Sequence, residues 1–146
     1  MARPDVPAAS PAASPAATAD PLARTTVTCI LPVKDMARAR RFYEQSLGLV
    51  PAGAKPDGKF VYRLGATEIA LFPREEGTKA THTALSFRVD DIAAAVRTLG
   101  QRGVKFEDYD FPGLKTEDGI ATLGGVRAAW FKDPDGNIVA VESVPS

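Results

Sequence analysis

The sequence has one histidine and one cysteine, His82 and Cys29, among its 146 residues. A lone cysteine excludes an internal disulfide and any cysteine-rich zinc site. A lone histidine excludes sites that take two or more imidazoles from one chain, such as the HExxH motif and a three-histidine zinc centre. Chemistry in this chain must therefore use other residue types, or these two residues singly.

An excess of one charge and a long apolar run are also absent. The 18 basic and 18 acidic residues give a formal net charge of zero and a pI near 6.6. This balance gives no electrostatic reason to expect nucleic acid or an anionic membrane as a partner. The apolar runs are too short to span a bilayer, and the N-terminus lacks the apolar block of a secretory signal. We therefore expect a cytoplasmic protein.

The composition divides the chain into a tail and a single domain. Residues 1–24 consist largely of Ala, Pro and Ser and contain few large apolar side chains. This composition predicts a disordered tail, because the segment has little surface to bury. Residues 25–146 have the length of one ordinary domain.

The domain consists of two similar modules, 25–75 and 80–146. In the first, "TVTCILPV" alternates as a strand does, Asp35 is a helix N-cap, and Gly48 ends the helix. The segments "KFVYRLG" and "TEIALFP" then predict two strands. By alternation, Cys29 faces the helix side of the first strand as a small core residue.

The second module repeats this pattern. "HTALSFRV" predicts a strand, Asp90 or Asp91 caps a helix that ends at Gly103, and strand-like segments follow near Val104–Phe106 and at Val126–Lys132. The turn "DPDGN" precedes a last strand at Ile138–Glu142. Superposing the modules places Val33 on Val89, Asp35 on Asp91, and Met36 on Ile92. Each module reads as strand–helix–three strands.

Three phrases, "LPVKDMARARRFYEQSLGL", "FRVDDIAAAVRTLGQRGV" and "AAWFKDPDGNI", give the chain a resemblance to the vicinal oxygen chelate superfamily of glyoxalases, bleomycin-resistance proteins and extradiol dioxygenases. The resemblance implies an α+β fold. Two βαβββ modules would form a half-open curved mixed sheet around a cavity, and a homodimer often completes it.

In the metal-using members that this chain resembles, four strands each aim one His, Gln or Glu into the cavity. The corresponding positions here are Thr28, Ala70, Ala84 and Ala140. Alanine has no donor atom, and a divalent cation needs several ligands at about 2.0–2.6 Å. We therefore predict no metal and no cofactor.

One alternative is a displaced metal site formed by Glu68, His82 and Glu142. Each lies two residues from a position that binds the metal in the metal-using members, namely Ala70, Ala84 and Ala140. Side chains two residues apart on a strand share a face. However, each slip moves a side chain by roughly 6.5–7 Å along its strand. His82 is also the weak candidate for a general base, because its unperturbed pKa is near neutral.

The same alternation predicts which side chains line an organic-ligand site. Trp130 faces the cavity if Phe131 packs under the helices, and an indole can stack on a flat ligand. The polar stretch 107–119 reads as a loop at the cavity mouth, in which Tyr109, Phe111 and Leu114 can cover a ligand. The predicted ligand-binding residues are Thr28, Ile30, Glu68, Phe72, His82, Ser86, Tyr109, Phe111, Trp130 and Glu142.

Three functions stay open on the sequence alone. The first is a metal-independent binding protein for a small organic molecule, either sequestering an antibiotic or binding a metabolite. The second is a lyase, isomerase or oxygenase that uses the displaced metal site or His82 as an acid–base catalyst. The third is an interaction module whose sheet edge forms a dimer and does nothing else. The small residues at the ligand positions leave room for an organic molecule and favour the first.

Overall fold

A computed structural model describes residues 20–145. The predicted tail lies outside the described residues except for its end, where residues 21–24 form a turn. The fold is α+β, with two four-stranded mixed sheets and two helices, as the sequence predicts. No helix within residues 20–145 is long and apolar enough to cross a membrane.

The first module forms one sheet with one helix. Its elements are β1 (Val27–Val33), α1 (Met36–Arg41), a π-helical turn (Phe42–Ser46), β2 (Pro51–Ala54), β3 (Phe60–Leu64) and β4 (Thr67–Pro73). The strand order is β1-β4-β3-β2, with β1 parallel to β4 and the other pairs antiparallel. The Asp35 side chain accepts a hydrogen bond from Arg38 N and caps α1, as predicted.

The second module repeats this topology. Its elements are β5 (Thr83–Arg88), α2 (Ile92–Gln101), β6 (Asp110–Phe111), β7 (Leu114–Lys115), β8 (Ala121–Leu123), β9 (Val126–Lys132) and β10 (Ile138–Ser143). The strand order is β5-β10-β9-β8, with β5 parallel to β10. The cap of α2 is Asp91, whose carboxylate accepts from Ala94 N.

The structure differs from the predicted strands in three places. β2 was missed because Pro51 and Gly53 read as turn residues, yet an edge strand tolerates proline. The strand expected near Val104–Phe106 is only one bridge, between Phe106 and Phe131. The strand that occupies the corresponding place is β8, at the far edge of the second sheet. Within the predicted mouth loop, β6 and β7 form a short hairpin.

Each module packs the helix-facing side of its sheet into an apolar cluster. In the first, Leu31, Val33 and Leu71 are buried around Tyr43, and Cys29 packs against them as predicted. In the second, Phe131 is fully buried together with residues that include Ile92, Val139 and Val141. Both clusters are contacted by Leu85 and Phe87 of β5 and by Phe42 and Leu47 at the two ends of the π-helical turn, so the two modules share a core.

The Asp-Pro-Asp-Gly turn ties the modules together. Asp133 accepts hydrogen bonds from Asp135 N and Asn137 N within the turn, and from the Tyr43 hydroxyl of the first module. Asp135 accepts from Lys34 N at 2.8 Å and from the Arg38 guanidinium at 3.0 Å. The turn therefore has a structural role across the module boundary, whatever ligand the strands beyond it bind.

Candidate functional site

The candidate site lies on the faces of the two sheets that point away from the helices, which we call the open faces. On β1, Leu31 and Val33 point into the core, while Ile30, beside Leu31, is 52% exposed. On β9, Phe131 is fully buried and its neighbour Trp130 points to the opposite face. An isoleucine exposed in the middle of a strand shows that the open face of the first sheet is uncovered at β1, although Val61 and Ala70 on the same face are buried.

A cavity of about 420 Å³ lies over the first open face. Its floor comes from β1 and β4, and the β2–β3 turn supplies one wall. The lining residues are Thr28, Ile30, Lys55, Pro56, Asp57, Lys59, Val61, Glu68 and Ala70. Of the predicted ligand-binding residues, Thr28, Ile30 and Glu68 lie together in this cavity. Phe72 lies two residues beyond Ala70 on β4 and is half-buried, but it does not line the cavity.

Glu68 is held by its neighbours on the first open face. One carboxylate oxygen accepts from the Thr28 hydroxyl at 3.1 Å, and the other accepts from the Arg63 guanidinium at 2.8 Å. The hydrogen bond from Arg63, followed by that from Thr28, lowers the pKa of Glu68. Glu68 therefore stays ionised at neutral pH. Sequence reasoning missed Arg63, which register places directly opposite Glu68 on β3.

The second open face is centred on Trp130. Its indole N–H donates to the Thr83 hydroxyl at 3.2 Å, and its neighbour in the sheet register is Ala140. The Tyr109 ring meets the indole edge-on, with 5.6 Å between ring centroids. These two contacts fix the orientation of the indole, whose neighbour in the sheet, Ala140, is itself buried.

The mouth loop contributes aromatic side chains to this face. Tyr109 contacts both Trp130 and Phe111, and Phe111 is 52% exposed. Thr116 holds the loop closed: its hydroxyl accepts from Tyr109 N at 2.8 Å, and its own N–H donates to Tyr109 O. Leu114 is half-buried in the same hairpin. The loop thus carries an anchored aromatic ring and an exposed one.

Ser86 and Glu142 form the polar part of the second open face. The Ser86 hydroxyl donates to a Glu142 carboxylate oxygen at 3.0 Å. Arg88 is opposite Glu142 in the register but makes no ion pair with it. The carboxylate therefore keeps acceptor capacity for a ligand that donates hydrogen bonds.

An irregularity in β5 changes the side chains that reach this face. Thr83 pairs with Ile138 and Leu85 pairs with Val139, so Ala84 is an extra residue in the strand. Regular alternation would put Thr83 on the same face as Leu85, in the core. The extra residue turns Thr83 to the open face, where it contacts Trp130. His82 lies before β5, is exposed, and makes no side-chain hydrogen bond among the described residues. The sequence lacks a glycine or proline here that would have signalled the bulge.

The residues present do not fit the metal site of the metal-using relatives. Thr28 and Ala70 line the first cavity, Ala140 lies beside Trp130, and Ala84 lies at the bulge, so three of the four positions offer no donor atom. The part of the chain described by the structure contains no group of three His, Cys, Asp or Glu side chains arranged for a metal ion. Glu68, His82 and Glu142 are accordingly not brought together within one chain.

The two open faces belong to different sheets. The first cavity is lined only by residues of the first module, and the contacts of Trp130 lie within the second. No hydrogen bond or ion pair between described side chains connects the two faces. All the predicted ligand-binding residues except Phe72 and His82 therefore fall into two groups, Thr28, Ile30 and Glu68 on one face and Ser86, Tyr109, Phe111, Trp130 and Glu142 on the other.

A duplicated βαβββ chain with two mixed sheets and an open face on each defines the class: an α+β protein built from paired modules. Residues 25–141 match the sequence profile of the Glyoxalase/Bleomycin resistance protein/Dioxygenase superfamily. The chain belongs to this superfamily, as its motifs indicated.

The chain is similar to one protein by sequence and to solved structures with different described roles. A protein from Bacillus subtilis, the uncharacterized protein YraH, is 28% identical over 76% of this chain and 91% of its own length. TnmS3, an antibiotic binding protein from Streptomyces sp. CB03234, has a TM-score of 0.62 at 21% identity, covering 85% of this chain and 98% of its own. Lactoylglutathione lyase from Agrobacterium tumefaciens has a TM-score of 0.57 at 21% identity, covering 82% and 93%. At these identities, the two solved structures establish the fold alone.

Proposed function

We propose that this protein binds a small organic molecule on its open faces without a metal ion. The observation that carries the proposal is the environment of Trp130. Its indole is fixed by Thr83 and Tyr109 beside Ala140. In the metal-using relatives, the position of Ala140 has a side chain that binds the metal. A held aromatic surface next to an alanine suits a flat organic group, which gains by stacking. The fold shared with TnmS3 supports the same class of ligand.

The carboxylate of Glu142 limits the chemical class of ligand that the second open face can bind. Glu142 has acceptor capacity within the same face as Trp130, and among the described side chains its donor is Ser86 alone. We therefore propose a ligand that combines a planar ring with a hydrogen-bond donor, either cationic or neutral. An antibiotic that the protein sequesters and a metabolite that it binds would both fit this description. We also propose that the protein is cytoplasmic.

We further propose that a homodimer completes the site. Ile30 is 52% exposed on the first open face, and β1 and β5 are both edge strands with one unpaired side. A second copy could cover these edges and place its second open face over the first face of its partner. Sedimentation equilibrium tests this proposal: Ile30→Arg should weaken a dimer, whereas Leu123→Arg on β8 should not. A wild-type protein that stays monomeric at micromolar concentration would contradict it.

The binding proposal can be tested directly because Trp130 is the single tryptophan of the chain. We would titrate a panel of planar aromatic compounds with cationic, neutral or anionic substituents and follow the tryptophan emission. Binding should quench or shift the emission, and thermal stabilisation by the same compounds should be lost in Trp130→Ala. Leu123→Ala, an exposed residue on β8, is the matched control. Stabilisation that survives in Trp130→Ala would place binding elsewhere.

A further inference from the structure

The cavity over the first open face, which we call the first-face cavity, has an apolar row along its floor. Ile30 and Val61 both lie opposite Ala70 in the register of the sheet, and all three line the cavity. Val61 and Ala70 are buried, so Ile30 is the member of this row that is exposed to a ligand. Two residues along the strands, on one side of the apolar row, a polar row consists of Thr28, Glu68 and Arg63.

The β2–β3 turn places two lysines on the other side of the apolar row. Lys55 N–H donates to Lys59 O at 2.7 Å, and Gly58 N–H donates to Lys55 O at 3.0 Å, so the two lysines face each other across a closed turn. Lys59 lies two residues before Val61 and shares its face, and Lys55 shares that face because it lies opposite Lys59. Both lysines line the first-face cavity.

The charge of Lys55 is not compensated by a neighbour within residues 20–145. Lys59 forms an ion pair with Asp57, and Arg63 forms one with Glu68, whereas Lys55 forms none. The hydrogen bond from Arg63 lowers the pKa of Glu68, and the charge of Lys55 lowers it further, although Glu68 lies across the apolar row. The positive charge of Lys55 therefore acts inside the cavity, and its three N–H donors are available to a ligand.

We infer that the first-face cavity binds an organic monocarboxylate, with the carboxylate at Lys55 and an apolar body against Ile30. One ammonium group matches one negative charge, and an apolar body gains by covering an exposed isoleucine. The volume of about 420 Å³ is within the range of small-molecule sites. This inference rests on the proposed function, because it assigns the ligand chemistry of one of the two open faces. The preferred charge is opposite to that around Trp130, where Glu142 is the charged group.

Two matched probes test the inference on the full chain. 2-Naphthoate has a planar apolar body and one carboxylate, and 2-naphthamide has the same body with an uncharged amide. In a calorimetric titration, 2-naphthoate should bind wild-type protein with one molecule per chain. No binding of 2-naphthoate at millimolar concentration would overturn the inference.

The contribution of Lys55 has a matched control elsewhere on the surface. Lys55→Gln should weaken 2-naphthoate about tenfold, the effect of losing one charge-assisted hydrogen bond, and leave 2-naphthamide unchanged. Lys105→Gln removes the same charge from an exposed lysine outside the cavity lining and should alter neither probe. An unchanged affinity for 2-naphthoate in Lys55→Gln, or an equal loss of both probes, would overturn the carboxylate assignment.

Glu68→Gln should change the affinity in the opposite direction. This variant removes a negative charge from the cavity and leaves the Arg63 guanidinium without its carboxylate. The variant should therefore bind 2-naphthoate about threefold more tightly than wild type, with 2-naphthamide unchanged. A weaker affinity for 2-naphthoate in Glu68→Gln would mean that the carboxylate lies away from this polar row and would overturn the inference.

The inference and the proposed site at Trp130 can fail separately. Loss of 2-naphthoate in Lys55→Gln, with no planar compound that responds to Trp130→Ala, would support the carboxylate site and contradict the site at Trp130. Loss of 2-naphthoate in Trp130→Ala, with retention in Lys55→Gln, would place the carboxylate on the second open face. That result would overturn the inference and leave the proposed function in place.

Discussion

The Tyr43 hydroxyl donates a hydrogen bond of 2.7 Å to the buried carboxylate of Asp133, joining the π-helical turn of the first module to the Asp-Pro-Asp-Gly turn of the second. Asn137 donates to the same carboxylate and also reaches Pro32 O at the end of β1. A turn that looks purely local in the sequence therefore fixes how the two modules sit together. The orientation of β10, which carries Ala140 and Glu142, depends on it.

Removing either partner of this contact should destabilise the protein. Tyr43→Phe should lower the free energy of unfolding by about 1–3 kcal/mol, because a buried charged acceptor loses one donor. Asp133→Ala should cost more, because the Tyr43 hydroxyl, the Asn137 amide and two backbone N–H groups all lose their acceptor. Urea unfolding measures both. A cost below about 0.5 kcal/mol for Tyr43→Phe would show that the modules are held by apolar packing instead.

The buried tyrosines should also make stability fall at alkaline pH. Burial, then the charge of Asp133, raises the pKa of Tyr43 well above its ordinary value. Burial, then the hydrogen bond to Glu44, raises the pKa of Tyr62. A raised folded-state pKa leaves stability intact below the unfolded value near 10. Stability is then lost as pH rises further, because only the unfolded chain releases the proton.

Each of these tyrosines should contribute a slope of about 1.4 kcal/mol per pH unit above pH 10. Urea unfolding between pH 8 and 11 would measure the slope in wild type and in Tyr62→Phe. The variant should be less stable at pH 8 but should lose stability more slowly above pH 10. Parallel curves for the two proteins would mean that Tyr62 ionises as easily in the folded chain as in the unfolded one.

The N-cap of α2 provides a matched pair of neighbouring aspartates. The Asp91 carboxylate accepts from Ala94 N at 3.0 Å, whereas Asp90 is exposed and its side chain makes no hydrogen bond among the described residues. Asp91→Ala should therefore lower the free energy of unfolding by about 1 kcal/mol. Asp90→Ala should change it by less than about 0.5 kcal/mol. Equal costs in thermal or urea unfolding would contradict the cap assignment.

The features predicted well from the sequence are those with local chemistry. Asp35, Asp91 and the turn at Asp133 have side-chain acceptors next to the backbone donors that they satisfy, so spacing alone reveals them. The alternation that buries Phe131 also predicts that Trp130 lies on the opposite face. Because the two modules repeat the same pattern of strands and helix, the topology of one module also predicts that of the other.

What the sequence did not reveal depends on pairing between distant residues. The bulge at Ala84 follows from register against β10, and nothing in its own neighbourhood marks it. The ion pair of Arg63 with Glu68 requires β3 and β4 to be aligned, and that of Arg38 with Asp135 requires the modules to be docked. β2 was not predicted, because it contains a proline and a glycine that normally indicate a turn but that an edge strand tolerates.

The bulge predicts unequal effects for two adjacent residues. Thr83→Val removes the acceptor of the Trp130 indole N–H, so the emission of the single tryptophan should change in the ligand-free protein. His82→Gln should leave that emission unchanged, because the indole N–H donates to Thr83 and not to His82. Fluorescence spectra of the two variants at equal concentration measure this. A change in His82→Gln but none in Thr83→Val would mean that His82 and not Thr83 borders Trp130.

The donor set also predicts the response to metal ions. Protein purified without chelator should contain far less than one transition-metal ion per chain. Added Zn²⁺, Mn²⁺, Fe²⁺ or Ni²⁺ should shift its melting temperature by less than about 1 °C, because an ion that does not bind the folded state cannot stabilise it. Three of the four family positions are alanines, and Glu68 already accepts from Arg63 and Thr28. Stoichiometric metal with a clear thermal shift, lost in Glu68→Gln, His82→Gln or Glu142→Gln, would instead establish a site assembled from these three residues across two chains. It would overturn the metal-independent function.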